Sequence, residues 1–181
     1  MIYVFLAPGF EEIEALATVD FIRRAEMEVC TVGIGGQIIE GAHGINVFCD
    51  IDEREVKLSD ELGAIVLPGG MPGTLNLEKS DTVQGAIDFC HENGRKICAI
   101  CAAPSILGHK GLLSGKKACC FPGFEQELTG AEVTNDFTCA DGNIITAKGA
   151  GSAISFGYEI VKALGAKAKA DKIKASLQCP F

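Results

Sequence analysis

Short runs of β-branched and aliphatic residues alternate along the chain with stretches of helical periodicity, and no other feature restricts the fold so narrowly. Strands that recur between helices form βα units around a mostly parallel sheet. Residues 2–7 read as the first strand, Pro8-Gly9 as its turn, and residues 11–25 as a helix whose acidic first turn suits the helix dipole. Residues 29–34 read as a second strand closed by Gly35-Gly36, while 38–39 and 45–49 suggest a small hairpin excursion. Residues 64–67 are a fully apolar central strand ended by Pro68-Gly69-Gly70. A helix over 82–93 stops at Gly94, a strand runs on to Cys101, and a helix over 102–110 stops at Gly111. Strands at 117–121 and 144–147 follow, the latter entered through the turn Ala140-Asp141-Gly142-Asn143. Gly149-Ala150-Gly151 then leads into a long helix over 152–164, with a shorter helix after it. With 181 residues, 48% of them hydrophobic, and no repeat or low-complexity linker, one domain over 1–181 is expected.

Charge and composition exclude several classes of function. A net charge of −8 argues against nucleic-acid binding, and the lysine-rich stretch over 162–174 reads as a solvated helix face. No apolar run reaches membrane length, and the opening Met1-Ile2-Tyr3-Val4 has no basic segment, so neither a span nor a signal peptide is expected. Nine cysteines, odd in number and without framework spacing, imply reduced thiols in the cytoplasm. His43, His91 and His109 are scattered, and Cys90-His91 lacks the spaced partners of a zinc site, so no metal is expected.

In a sheet of this kind ligands bind at the carboxyl ends of the strands. Three features converge there: the acidic residues Glu11 to Glu14, the pair Gly69-Gly70, and Cys101. Cys101 stands where a strand turns into a helix, and Ala99, Ala102 and Ala103 leave room for a sharp nucleophile elbow. Pro104 suits the first helical turn, whose dipole is expected to lower the thiol pKa. The plainer reading, a small buried hydrophobe, fits most of the other cysteines. Cys98 and Cys101 match C-x-x-C, yet Cys98 lies within the strand and points away.

Glu14, one turn into the first helix, is the best partner for that thiol. Burial and a neighbouring thiolate would keep its carboxyl protonated and able to shuttle a proton. The alternative is that Glu11, Glu12 and Glu14 form only a solvated, dipole-favoured turn. Gly69, Gly70 and the Ala102 amide could offer N–H groups to an oxyanion, or the glycines could make only a tight turn. A histidine base is harder to place: His109 lies roughly 12 Å along its helix from Cys101, and His91 ends a different helix. His43 alone stays open, and a Cys–His dyad is disfavoured. Gly149-Ala150-Gly151-Ser152 reads as a pocket-lining loop rather than a phosphate cradle.

Pro8-Gly9-Phe10-Glu11-Glu12-Ile13-Glu14, Val66-Leu67-Pro68-Gly69-Gly70, Ala99-Ile100-Cys101-Ala102-Ala103-Pro104 and Gly149-x-Gly151-Ser152, in that order, resemble the ThiJ/PfpI superfamily. Within it they are most similar to the branch of the human Parkinson-disease protein and its bacterial relatives, over essentially the whole chain. The resemblance implies a flavodoxin-like three-layer α/β sandwich, similar to class I glutamine amidotransferases, and a homodimer. It implies an oxidation-prone Cys101 and a protonated Glu14. It further implies cofactor-free action on methylglyoxal and glyoxal or on glycated proteins, as glutathione-independent glyoxalase or deglycase. Two departures matter. Some members carry histidine before a proline past the cysteine, where this chain has Phe121-Pro122, and the peptidase-like branch has histidine directly after its cysteine, where this chain has Ala102. Both weaken a peptidase reading and leave Glu14 as the main acid and base. Family members often place arginine, or His-Gly as here, near His43, which would then line the site across a dimer contact. The rival class is a redox sensor or stress chaperone, with Cys101 oxidised to a sulfinate held by Glu14 and no turnover. A thiazole-metabolism role attaches to the superfamily's name alone.

Overall fold

The computed structural model describes residues 1–179. In chain order the elements are β1 (Ile2–Leu6), α1 (Glu12–Arg24), β2 (Val29–Gly33), β3 (Ile38–Glu40), β4 (Asn46–Phe48), β5 (Ile51–Asp52), β6 (Ala64–Leu67), α2 (Gly73–Lys79) and α3 (Asp81–Glu92). They continue as β7 (Lys96–Ile100), α4 (Pro104–His109), β8 (Lys117–Ala118), β9 (Glu132–Val133), β10 (Thr138–Asp141), β11 (Ile144–Ala147), α5 (Ala153–Ala163) and α6 (Lys167–Ser176). The main sheet has seven strands in the order β10-β11-β7-β6-β1-β2-β5. Every pairing in it is parallel except that of β10 with β11.

Period-two alternation distributes the strand side chains to two cores. Val4, Leu6, Val66, Cys98, Ile100 and Ala147 pack with α1, α5 and α6 on one face. Phe5, Ile65, Leu67, Ile97 and Ala99 pack with α3 and α4 on the other. Both faces are covered, which is why the central strands read as unbroken apolar runs. The first face is closed by a tight helix crossing: a Cβ on Gly157 of α5 would lie 2.8 Å from the Cβ of Phe21 on α1, so that approach requires glycine. From β1 the chain crosses to β2 on one side, whereas β6 leads to β7 on the other, so the topological switch lies between β1 and β6. The loops after β1, β6 and β7 all open at that crevice.

Three of the expected elements take a different form in the structure. The strand expected over 117–121 is paired only at Lys117–Ala118, in a separate ladder with β9. Beyond it the Cys119 amide donates to Thr146 Oγ1 at 2.9 Å and the Phe121 amide to the Cys101 carbonyl at 2.8 Å, which draws the segment over the sheet edge. The turn expected at Ala140 to Asn143 is the tip of a hairpin whose first arm, β10, is an antiparallel edge strand. The helix expected from Ala102 begins at Pro104, because Cys101 to Ala103 form the turn that leaves β7.

Candidate active site

Cys101 is a non-glycine residue with φ of 66°, in the left-handed region that side chains avoid. Its neighbours hold it there: the Cys101 amide donates to the Ala147 carbonyl at 2.9 Å, and its carbonyl accepts from Phe121. The elbow expected from the small residues is therefore formed, and it lifts the thiol out of β7 toward the strand ends.

Glu14 comes to the same point from α1. Glu11 caps that helix by accepting the Glu14 amide at 2.7 Å, which sets the register of the first turn. The Glu14 side chain is directed inward, and the residue is 1% exposed. Its Oε2 accepts the Gly69 amide at 2.9 Å. A Cβ built on Gly69 would stand 2.8 Å from Glu14 Oε2 and 3.0 Å from Cys101 Sγ, so carboxyl and thiol face each other across a side chain that is absent. Gly70, at φ of 88°, also has no room for one, since its Cβ would lie 2.4 Å from the Glu11 nitrogen.

The four expected N–H and carboxyl partners thus divide their work. The Gly70 and Ala102 amides point at the Cys101 sulfur. The Gly69 amide does not: it is committed to Glu14, so Gly69 positions the acid rather than facing the sulfur. His43 is not brought to the thiol of its own chain either. Its amide and its Nδ1 both bond to Glu12, each at 2.7 Å, and the ring is exposed. Burying Glu12 beneath His43 braces the β3–β4 hairpin against the start of α1. His109 is bound elsewhere, between Glu78 at 2.5 Å and Glu127 at 2.8 Å.

Burial raises the Glu14 carboxyl to about 7, with Glu11's charge adding and the contacts to Cys101 and Gly69 opposing. Burial also pushes the Cys101 thiol up to about 12, reinforced by the charge of Glu14 and opposed by the Gly70 and Ala102 amides. The expected lowering of the thiol is therefore not met. The helix begins too late to act at close range, and its place is taken by two amides that burial outweighs. The groups titrate as a coupled pair. Each carboxyl or thiol charge raises the pKa of the other group, so ionisation of one opposes that of its neighbour.

Beside the pair opens a cleft of about 320 Å³. Phe121 and Phe137 wall it, Lys148 stands at its rim, and the 149–152 loop forms its floor. The loop is locked by Ser152, whose Oγ accepts the Gly149 amide at 3.1 Å and donates to the Gly149 carbonyl at 2.7 Å. The lining role expected for this loop is seen, whereas Phe137 and Lys148 were not found from the sequence. An aromatic residue in the polar stretch Asn135-Asp136-Phe137-Thr138 was the available signal. Among the described residues, one grouping has ligand atoms close enough for a cation, Glu11, Glu12 and His43, within 4.8 Å of one another. Its members are engaged as helix cap and hairpin brace, at the positive end of α1, which disfavours a cation.

A flavodoxin-like sheet with an elbow cysteine after β7 facing a buried glutamate from α1 defines a class of α/β proteins that pair a thiol and a carboxyl at the switch point. The chain belongs to the DJ-1/PfpI family, whose model matches residues 1–163. Drosophila melanogaster protein dj-1beta is 33% identical over 96% of this chain and 94% of its own. The crystal structure of Drosophila DJ-1beta superposes with a TM-score of 0.93 at 31% identity, covering 99% of this chain and 98% of that one. A Caenorhabditis elegans protein named as a glutathione-independent glyoxalase is 27% identical over 90% of this chain and 87% of its own. Among the described residues no helix is long and apolar enough to cross a membrane.

Proposed function

We propose that this protein is a cofactor-independent cysteine enzyme that converts 2-oxoaldehydes to 2-hydroxy acids without glutathione, and that acts by the same attack on early aldehyde adducts of proteins. The observation that carries the reading is the meeting of Glu14 and Cys101 at Gly69, with two amides aimed at the sulfur. The nematode relative's name supports the substrate class.

In the proposed reaction Glu14 takes the thiol proton as Sγ adds to the aldehyde carbon, and the Gly70 and Ala102 amides receive the new oxyanion. Glu14 returns the proton to that oxygen, giving a hemithioacetal. It then moves the carbon-bound proton to the adjacent carbon through an enediol. The aldehyde carbon is thereby oxidised to a thioester while the ketone carbon is reduced to a carbinol. Water cleaves the thioester, frees the 2-hydroxy acid and restores the thiol. One water is consumed, and no outside oxidant or reductant takes part.

The same donors would hold an oxidised Cys101, which favours a redox-sensing role as the second reading. Lactate formation from methylglyoxal, without glutathione, separates the two. Turnover lost in Cys101→Ala and in Glu14→Ala supports the enzyme. A folded, reduced wild type with no turnover, whose Cys101 alone forms sulfinate under mild peroxide, supports the sensor.

The protein is further proposed to act as a homodimer in the cytoplasm. Ile13 and Leu16 of α1 and Ile38, Ile45 and Phe48 of the adjoining hairpin are exposed, and a second copy would cover them. In that arrangement His43 would stand at the edge of the contact. All nine thiols are free, as a reducing compartment allows.

A further inference from the structure

We infer that the cleft beside Cys101 selects 2-oxoaldehydes bearing an aryl substituent, with Phe121 and Phe137 clasping the ring. The inference rests on the proposed aldehyde chemistry and names the substrate class for that site.

The cleft is joined to the reacting atoms. A Cβ on Gly149 would lie 3.2 Å from the Phe121 ring and 3.9 Å from Glu14 Oε1, so the cleft floor separates wall from acid by less than one side chain. A substrate carbonyl held at Sγ would point its other end past Gly149 toward the Phe121 wall. About 320 Å³ is available, more than the roughly 150 Å³ in which an apolar cavity holds benzene. A methyl group would leave most of it unfilled.

The walls match a flat apolar ring. Phe121 and Phe137 are 47% and 69% exposed, so each presents ring surface that a ligand can cover. Aromatic pairs of this kind prefer offset or edge-on contacts and add attraction beyond buried area. Lys148 Nζ lies 5.9 Å from the Phe137 ring centroid and bonds Asn135, which fixes that ring at the rim. The Lys148 amide donates to the Phe137 carbonyl at 3.0 Å, securing the wall to the loop that ends β11.

The test compares phenylglyoxal with methylglyoxal in the wild type, Phe137→Ala and Phe121→Ala. Mandelate and lactate are measured rather than aldehyde loss, because phenylglyoxal also modifies arginine. The readout is the ratio of kcat/KM for the two aldehydes, in which any general loss of activity cancels. The wild type is expected to favour phenylglyoxal, and Phe137→Ala to lower the ratio by roughly tenfold, the scale on which apolar pockets discriminate. Lactate formed without preference for phenylglyoxal, or a ratio unchanged in both variants, overturns the pocket assignment and leaves the enzyme standing. Neither product from folded, reduced wild type overturns the enzyme and the assignment together.

Discussion

Glu14 Oε2 and Cys101 Sγ lie 2.8 and 3.0 Å from the place a Gly69 side chain would occupy. The glycine is the seat of the acid and thiol pair: its amide fixes the carboxyl and its missing Cβ admits the sulfur.

Gly69→Ala should therefore remove activity outright, since the new methyl would stand 2.5 Å from the Cys101 Cβ. Overpacking at such a site costs about 1–3 kcal/mol, so urea unfolding should report a folded but weaker protein. Wild-type turnover in this variant would dismiss the shared seat.

The raised Glu14 carboxyl makes two pH predictions. As the base that accepts the thiol proton, it should make kcat/KM rise with pH through about 7, and Glu14→Gln should lose at least about a hundredfold of it. Its folded pKa lies above the ordinary 4.5, so its contribution to stability is full below 4.5 and is lost as pH rises through about 7. Glu14→Gln should consequently melt above the wild type at pH 8 and lose that advantage at pH 4.5. Melting curves at the two values, with rate profiles, check both.

His109 carries the opposite group and the same sign. Glu127 and Glu78 raise its pKa above the ordinary 6.5. Its contribution is complete below 6.5 and fades as pH climbs through the raised folded value. The ring is partly exposed, so His109→Ala should cost only about 0.5–1 kcal/mol near pH 6 and less near pH 9. An equal cost at both values would show that packing, not charge, is what the variant removes.

Phe48, 70% exposed on the hairpin, gives a test of assembly. Sedimentation should find the wild type dimeric and Phe48→Glu monomeric. A monomeric wild type would end the dimer proposal.

The βα alternation and the apolar central runs were legible in the sequence because both faces of the sheet are covered. That Cys101 and the acidic turn of α1 would meet was legible because the topology delivers strand ends to one crevice, but choosing Glu14 over a merely solvated turn took the family resemblance. What was hidden depends on distances between segments far apart in the chain. The assignment of the Gly69 amide to Glu14 rather than to the oxyanion is one such case, and the upward shift of Cys101 by burial is another. Helix α2 was unread because it starts within Met71-Pro72-Gly73, a turn-like run, with no side chain capping it. The strand expected over 117–121 failed because Thr146 and Cys101 offered its amides better partners than a ladder did.

The hydrogen bond from Phe121 to the Cys101 carbonyl has a mechanical meaning. That carbonyl and the Ala102 N–H belong to one planar peptide unit and point in opposite directions. Whatever grips the oxygen therefore aims the nitrogen. The backbone that carries the cleft wall at Phe121 thus also holds the direction of the amide at the sulfur.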